Sequence, residues 1–257
     1  MEDCLAVTSW ESPVGLIEYY AIFDGHGGQE VSSFVQSVFH SVLQEKIASS
    51  GGNNLKASLL ESFAEVNDQA WKLLQRQGMI NRVVGSTGVV VIINNGVIHC
   101  ANLGDSRAII VSQDPANAEG VVGTALSFDH KPSDREEEAR IKRAGGFIAS
   151  SAFEGGHYRV LTPTVGNGLG VARAFGDFPL APAVGDQPYY HTQALTPADL
   201  FIVVGCDGIW DVLSNQEAAE ITHRQAKRGI DSAAHTLRGW ALAQGSADDL
   251  SVISVQL

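Results

Sequence analysis

From Gln29 to Ser49 apolar residues recur at helical spacing (Val31, Phe34, Val35, Val38, Phe39, Val42), which predicts an amphipathic helix with one buried face. Ser50–Asn54 breaks the pattern, and a second helix follows from about Leu55 to Gln77, with Leu59, Phe63, Val66, Ala70 and Leu73 on its apolar side. Two long helices with a short link predict a helical hairpin packed on a sheet. Ahead of them, Gly15–Phe23 is an apolar run of strand length that enters the turn-like cluster Asp24–Gly28. Behind them, Gly88–Ile93 and Val97–Asn102 flank Asn94–Gly96, a hairpin signal, and Arg107–Val111 predicts a further strand. Ser133–Ala144 reads as a short charged helix with Ser133 as cap and Glu136 three residues on. Phe147–Asn167 reads as irregular, and as a flap. Leu200–Val204 predicts a buried strand, Ser214–Arg228 and Ile230–Gln244 two helices, and Leu250–Leu257 a closing strand.

The order is strands, two helices, many strands, two helices, strand, with no repeat at solenoid spacing. That is an α+β pattern with helices outside packed sheets rather than regular β-α alternation. No linker divides the chain, so residues 1–257 are expected to form a single domain whose flap covers about 133–170.

Several acidic residues stand at the ends of apolar runs beside glycine. Asp24 lies in DGHGG, Asp207-Gly208 follows LFIVVGC, Asp105 sits in the turn NLGDSR, Asp248-Asp249 precedes the last strand, and Glu2-Asp3 opens the chain. Single turn aspartates are ordinary caps. Several at strand ends can converge on one rim, where they repel one another unless a cation neutralises them. The residues alone leave both readings open. With no zinc-type Cys/His spacing, an all-oxygen set would suit Mg²⁺ or Mn²⁺.

Charge sharpens this. Asp and Glu total 29 against 17 Lys and Arg, a formal charge of −12, which disfavours nucleic acid and anionic membrane surfaces as partners. With 44% apolar and 18% charged residues the chain has a globular profile, and no apolar run reaches the length of a membrane span. Acidic Glu2 and Asp3 follow Met1 directly, unlike a signal peptide, and the three cysteines (Cys4, Cys100, Cys206) form no C-x-x-C pair. These features predict a soluble intracellular protein, cytoplasmic and with access to the nucleus, with free thiols. No coiled coil or repeated apolar stripe asks for a partner, so a monomer is expected.

The chain resembles the metal-dependent protein serine/threonine phosphatases of type 2C. The resemblance rests on eight runs in the family's order: Met1–Asp3 (MED), Phe23–Gly28 (FDGHGG), Gly85–Thr87 (GST), Asn102–Arg107 (NLGDSR), Asp129–Pro132 (DHKP), Ala172–Asp177 (ARAFGD), Cys206–Asp211 (CDGIWD) and Gly245–Asp249 (GSADD). It implies a four-layer α/β/β/α sandwich, with two packed antiparallel sheets flanked by helix pairs. It implies hydrolysis of phosphoserine and phosphothreonine in protein substrates by a metal-activated water at a centre of two Mg²⁺ or Mn²⁺ ions. Carried over by motif, Glu2, Asp24 and the Gly25 carbonyl hold one ion, and Asp24, Asp207 and Asp248 the other. Asp3 stands behind them. Asp105, Asp207 and Asp211 match a weaker third site, and His26 the general acid.

Three departures accompany the match. The family's arginine shortly before MED, and the N-terminal strand ahead of it, have no counterpart in the sequence, which also predicts a loosened Met1–Asp3 segment. The usual Asp-Asn pair near the end reads Asp248-Asp249. The flap, through Phe153–Tyr158 and Thr164–Leu169, is unusually rich in glycine. The first departure motivates the alternative of a weakly active or inactive phosphatase-like binding module. Trp71 and Trp210 read as packing residues, Arg107 and Arg173 as structural partners of nearby carboxylates or carbonyls, and Lys142-Arg143 as a solvated helix end.

Overall fold

Alternation along the central strands sorts their side chains into two separate cores. In the computed structural model, which describes residues 1–150, 158–229 and 233–257, the chain begins with β1 (Cys4–Ser12), β2 (Gly15–Phe23), the short β3 (Gly25–His26), α1 (Glu30–Ser49) and α2 (Leu55–Arg76). It continues with β4 (Gly85–Ser86), β5 (Gly88–Asn94), β6 (Val97–Leu103), β7 (Arg107–Gln113), β8 (Val121–Ala125) and α3 (Arg135–Arg143). Then come β9 (Phe147–Ser150), β10 (Tyr158–Thr162), β11 (Val165–Leu169), β12 (Phe175–Gly176), β13 (Tyr189–Ala194) and β14 (Asp199–Gly205). The chain closes with α4 (Asp207–Trp210), α5 (Asn215–Lys227), α6 (Ala233–Ala243) and β15 (Val252–Gln256).

One antiparallel sheet has the order β1-β2-β5-β6-β13 and a second β15-β14-β7-β8. Successive side chains of a strand point to opposite faces. Ile17, Tyr19, Ala21 and Phe23 of β2, with Val90 and Ile92 of β5, therefore pack against Val35, Phe39, Leu59 and Phe63 of α1 and α2. Tyr20, Ile22, Val89 and Val91 point the other way, onto Ile110, Ile202 and Val204 of the second sheet. The far face of that sheet, with Ile109, Val111 and Val203, meets Ala218, Ile221 and Leu237 of α5 and α6. The four layers are thus helices, sheet, sheet, helices. β5 is buried at all seven positions because both faces are covered.

Elsewhere the structure departs from the expectations. The cap of α3 is Asp134, not Ser133: its carboxylate accepts the Glu136 and Glu137 amides at 2.8 and 3.1 Å. The capping box is found on α5 instead, between Ser214 and Glu217. The stretch read as irregular contains β9, β10 and β11, a three-stranded sheet of order β11-β10-β9. Most of the FEGGHY run and the expected start of the last helix at Ile230 lie outside the described residues. β1 and β13, unmarked in the sequence, flank the first sheet, and Leu5 and Val7 of edge strand β1 are 48% and 56% exposed.

Candidate metal centre and cleft

The acidic residues do converge. Glu2, Asp24, Asp105, Asp207, Asp211 and Asp248 line one cleft of about 490 Å³, together with Gly25, His26 and Lys131. Asp24 leaves the end of β2, and its carbonyl accepts the Thr87 amide at 2.8 Å and the Ser86 hydroxyl at 3.1 Å. Gly25 passes so close to the N-terminal segment that a Cβ there would stand 2.6 Å from the Glu2 carbonyl oxygen, and only glycine fits. Asp207 opens α4 on the end of β14. Gly208 beside it lets residues 248–249 approach, since a Cβ at 208 would fall 2.2 Å from the Asp249 carbonyl oxygen. The Trp210 indole is buried beneath this loop and donates to the Gly205 carbonyl at 2.8 Å, a packing residue as expected.

The Met1–Asp3 segment is held rather than loose. The Glu2 amide donates to Asp249 at 2.7 Å, Ser32 donates to the Glu2 carbonyl at 2.6 Å, and Gly28 donates to the Glu2 carboxylate at 3.2 Å. The charged Asp249 that departs from the family pair is therefore the acceptor that docks Glu2 into the cleft.

Burial and mutual repulsion hold the central carboxyls far above their ordinary range. Asp24 is pushed up to about 10 by burial first, then by Asp207 and Asp3. Asp105 stands at about 7 from burial and Asp207, with Lys131 pulling the other way. Asp207 is raised to about 6 by burial, Asp248 and Asp211. Asp3 is 8% exposed and its carboxyl is likewise raised by burial. Oδ2 of Asp3 and Oδ1 of Asp105 are buried with no hydrogen-bond partner. Orphaned oxygens in a crowd of like charges are what a hard cation neutralises, so the residues present fit a divalent metal.

Ligand-type atoms of Asp3, Asp24 and Cys206 lie within 4.8 Å of one another. Cys206 was not foreseen, and its chemistry argues against ligation. Burial pushes the thiol up, it donates to the Asp249 carbonyl and accepts the Ser251 amide, both at 3.2 Å, and a neutral thiol is a poor ligand for a hard ion.

Lys131 and Asp177 were also missed. The Lys131 ammonium stands 2.9 Å from Asp211 and 3.6 Å from Asp105, between two of the carboxylates assigned to a third ion. Asp177 lies 2.6 Å from the His26 ring. Neither partnership has a local signal, because the paired residues are 80 and 151 positions apart. Arg107 and Arg173 are structural, as expected: Arg107 forks onto Asp129 and Arg173 onto Glu137. Lys142 pairs with Glu138 one turn back. Trp71 differs, being 41% exposed beside a second cavity with Arg143 and Pro182. Arg159, on β10, lines the cleft from the flap side.

A family model described as protein phosphatase 2C matches residues 1–250. A probable protein phosphatase 2C of Oryza sativa subsp. japonica is 32% identical over 257 residues, all of this chain and 62% of that protein. A probable protein phosphatase 2C of Caenorhabditis elegans is 36% identical over 219 residues, 80% of this chain and 54% of that protein. The chain thus spans just over half to under two thirds of these relatives' own length. Among solved structures, a serine-threonine phosphatase 2C from Toxoplasma gondii superimposes with a TM-score of 0.86 at 22% identity, over 99% of this chain and 90% of that one. A C. elegans sex determining protein does so at 0.84 and 24%, over 99% and 61%. Those two likenesses carry the sandwich fold. The family model and the curated relatives carry more: the chain belongs to the protein phosphatase 2C family.

Proposed function

We propose that this chain hydrolyses phosphoserine and phosphothreonine in proteins with the help of bound Mg²⁺ or Mn²⁺. The observation that carries the reading is the convergence of six carboxylates from five chain segments on one cleft, with an imidazole on its wall. Glu2, Asp24 and the Gly25 carbonyl would hold one cation, and Asp24, Asp207 and Asp248 the other. Asp3 would support them from behind, and Asp105, Asp207 and Asp211 would offer a weaker third place. When bound, such cations supply an acidified water and positive charge for the phosphoryl oxygens.

The chain's own residues do the rest. Asp24, as the ligand shared by both cations, would tie their spacing together. His26 donates a proton to the departing serine or threonine oxygen, a poor leaving group without it. Lys131 neutralises Asp105 and Asp211, which lowers the repulsion that an incoming phosphate meets. The flap, from α3 through β11, roofs the cleft with Tyr158, Arg159 and Leu169 and so bears on which substrate enters.

The test is hydrolysis of a phosphothreonine peptide by purified protein with and without Mn²⁺ or Mg²⁺, beside calorimetric titration of the metal. Turnover that requires the cation supports the reading. Tight cation binding with no turnover overturns it in favour of a phosphatase-like binding module.

A further inference from the structure

Three sequence motifs meet at a point that metal ligation does not explain. β3, β4 and β12 form a small sheet in which His26 faces Gly85, and Gly85 faces Gly176. Asp177 follows directly, and its amide donates to the Val84 carbonyl at 3.0 Å. This brings Asp177 Oδ2 to 2.6 Å from His26 Nε2. The Asp177 side chain is fully buried, whereas that of His26 is 23% exposed and reaches the cleft. Gly85 is what leaves the room. A Cβ there would lie 2.1 Å from Asp177 Oδ2 and 2.6 Å from His26 Nε2.

Asp177 is costly for the fold. Its φ is +49°, in the left-handed region that non-glycine residues enter at an energetic cost. Its second oxygen, Oδ1, is buried without a hydrogen-bond partner. It begins the short 3-10 turn Phe178–Leu180, but its side chain makes no capping bond to that turn. Among the described residues, the carboxylate has one hydrogen-bond partner, the imidazole.

We propose that Asp177 is the positioning residue of His26: its carboxylate holds Nε2, fixes the ring, and leaves Nδ1 as the nitrogen that faces the leaving oxygen. The proposal rests on His26 being the general acid. A buried carboxylate on one ring nitrogen selects the tautomer and the orientation presented by the other. His26 passes its Nδ1 proton to the departing oxygen, keeps Nε2–H on Asp177, and regains a proton from solvent. The Gly85–Thr87 and Ala172–Asp177 motifs then share one purpose: the first supplies the gap and the second the carboxylate.

The experiment uses D177G and D177N, because glycine and asparagine both tolerate a φ of +49°, with H26Q alongside. Turnover is measured on a phosphothreonine peptide and on p-nitrophenyl phosphate, whose leaving group needs little protonation. With Mg²⁺ present, ¹⁵N spectra report which His26 nitrogen carries the proton. D177G is expected to lower kcat on the peptide roughly 10- to 100-fold, with KM nearly unchanged, and to spare p-nitrophenyl phosphate. D177N can turn its amide NH2 onto Nε2 and favour the opposite tautomer, so it should lose at least as much. At a pH where the ring is neutral, the wild-type spectrum should show the remaining proton on Nε2, and D177G a mixture of the two tautomers. If H26Q is selective for the peptide but D177G loses equally on both substrates, or leaves the tautomer unchanged, the positioning role is overturned. If H26Q itself loses equally on both substrates, the fault lies in the general-acid assignment and the proposal falls with it.

Discussion

The floor of the cleft and its roof are built on opposite terms. The floor is made from the ends of buried strands. Phe23, ahead of Asp24, and Cys206, ahead of Asp207, are fully buried, and the intervening backbone is fixed by close glycine contacts and side-chain bonds. The roof, β9 to β11, has mostly exposed or half-buried residues, and among the described residues of its strands only Val160 and Leu169 are buried. They pack with Ile141 of α3 and with Ala172, Leu180 and Val184 in a small core distinct from the three beneath the floor. Charges crowded to this degree need a frame that does not yield, since a cluster free to spread would relieve its repulsion by moving apart. A surface proposed to meet varied protein substrates would carry no such demand. The seam between them is Glu137 of α3, 1% exposed, which accepts from Arg140 at 2.9 Å and from Arg173 through Nε at 3.0 Å and through Nη2. Arg140 in turn donates to the Ala172 carbonyl at 2.6 Å, so the base of the flap is stitched to the segment that leads to Asp177.

The largest expected effect is on the floor. D24N removes the carboxylate proposed to be shared by the two cations and should abolish turnover while weakening both. Calorimetric titration with Mn²⁺ checks this, and an unchanged stoichiometry and affinity in the variant would sink the assignment. Next comes the seam. Burial pushes the Glu137 carboxyl up, but the Arg173 hydrogen bond and charge, with Arg140, pull it further down, so its net position is below the ordinary 4.5. A depressed folded pKa contributes stability that is present above about pH 4.5 and lost as the pH falls through the folded value. E137Q should therefore cost about 3–5 kcal/mol at neutral pH, the size expected when one partner of a buried ion pair is removed. The gap to wild type should narrow in acid. Denaturant unfolding at pH 7 and below pH 4.5 checks both; a gap that does not change with pH would show that the ion pair is not what joins floor to roof.

The same division explains what was legible in the sequence. The floor could be read because Asp24, Asp105 and Asp207 sit where apolar runs end, and FDGHGG, NLGDSR and CDGIWD each join strand, turn and carboxylate within a few residues. The helix pairs were legible for a similar reason: a period such as Val31–Phe39 is local. The flap sheet was not, because its strands are short and the two glycines of Val165–Leu169 look like loop. β1 alternates weakly because much of it is exposed at an edge, and it is a strand through its pairing with β2 from Cys4–Phe23 to Ser12–Gly15. Asp134 outcompeted Ser133 as a cap by lying one residue nearer the helix, where its carboxylate reaches two amides. Partnerships such as Lys131 with Asp211, or His26 with Asp177, are products of the tertiary fold, and sequence distance conceals them.

A smaller effect is expected from the roof's own core. V160A removes a fully buried side chain from a cluster of nine buried residues, and by transfer and cavity terms should cost about 1–3 kcal/mol locally. Because that cluster is separate from the cores beneath the floor, the loss should appear as faster amide exchange in β9 to β11, with the amides of β2 and β14 unaffected. Exchange that rises equally in all of them would mean that floor and roof open together, and the contrast drawn between them would fail.

The smallest effect, and the finest test of the contrast, concerns Arg159. It belongs to the roof yet lines the cleft, and its guanidinium donates to the Gly168 carbonyl at 2.9 Å across β10 and β11. An arginine there is suited to a phosphate or an acidic side chain of the substrate, because its planar fork matches either geometry. The contact is exposed, so its worth is limited: a charge-assisted hydrogen bond contributes about 1.5–3 kcal/mol at best, and screening by water leaves roughly half. R159A should therefore lower kcat/KM on a phosphothreonine peptide roughly 3- to 10-fold. If the arginine binds substrate and transition state alike, the loss lies in KM with kcat intact, the reverse of the pattern expected from the floor. R159K keeps the charge without the fork and should recover only part of the affinity. A kcat that collapses in R159A with KM unchanged would move this residue from the roof's business of admitting substrate to the floor's business of turning it over.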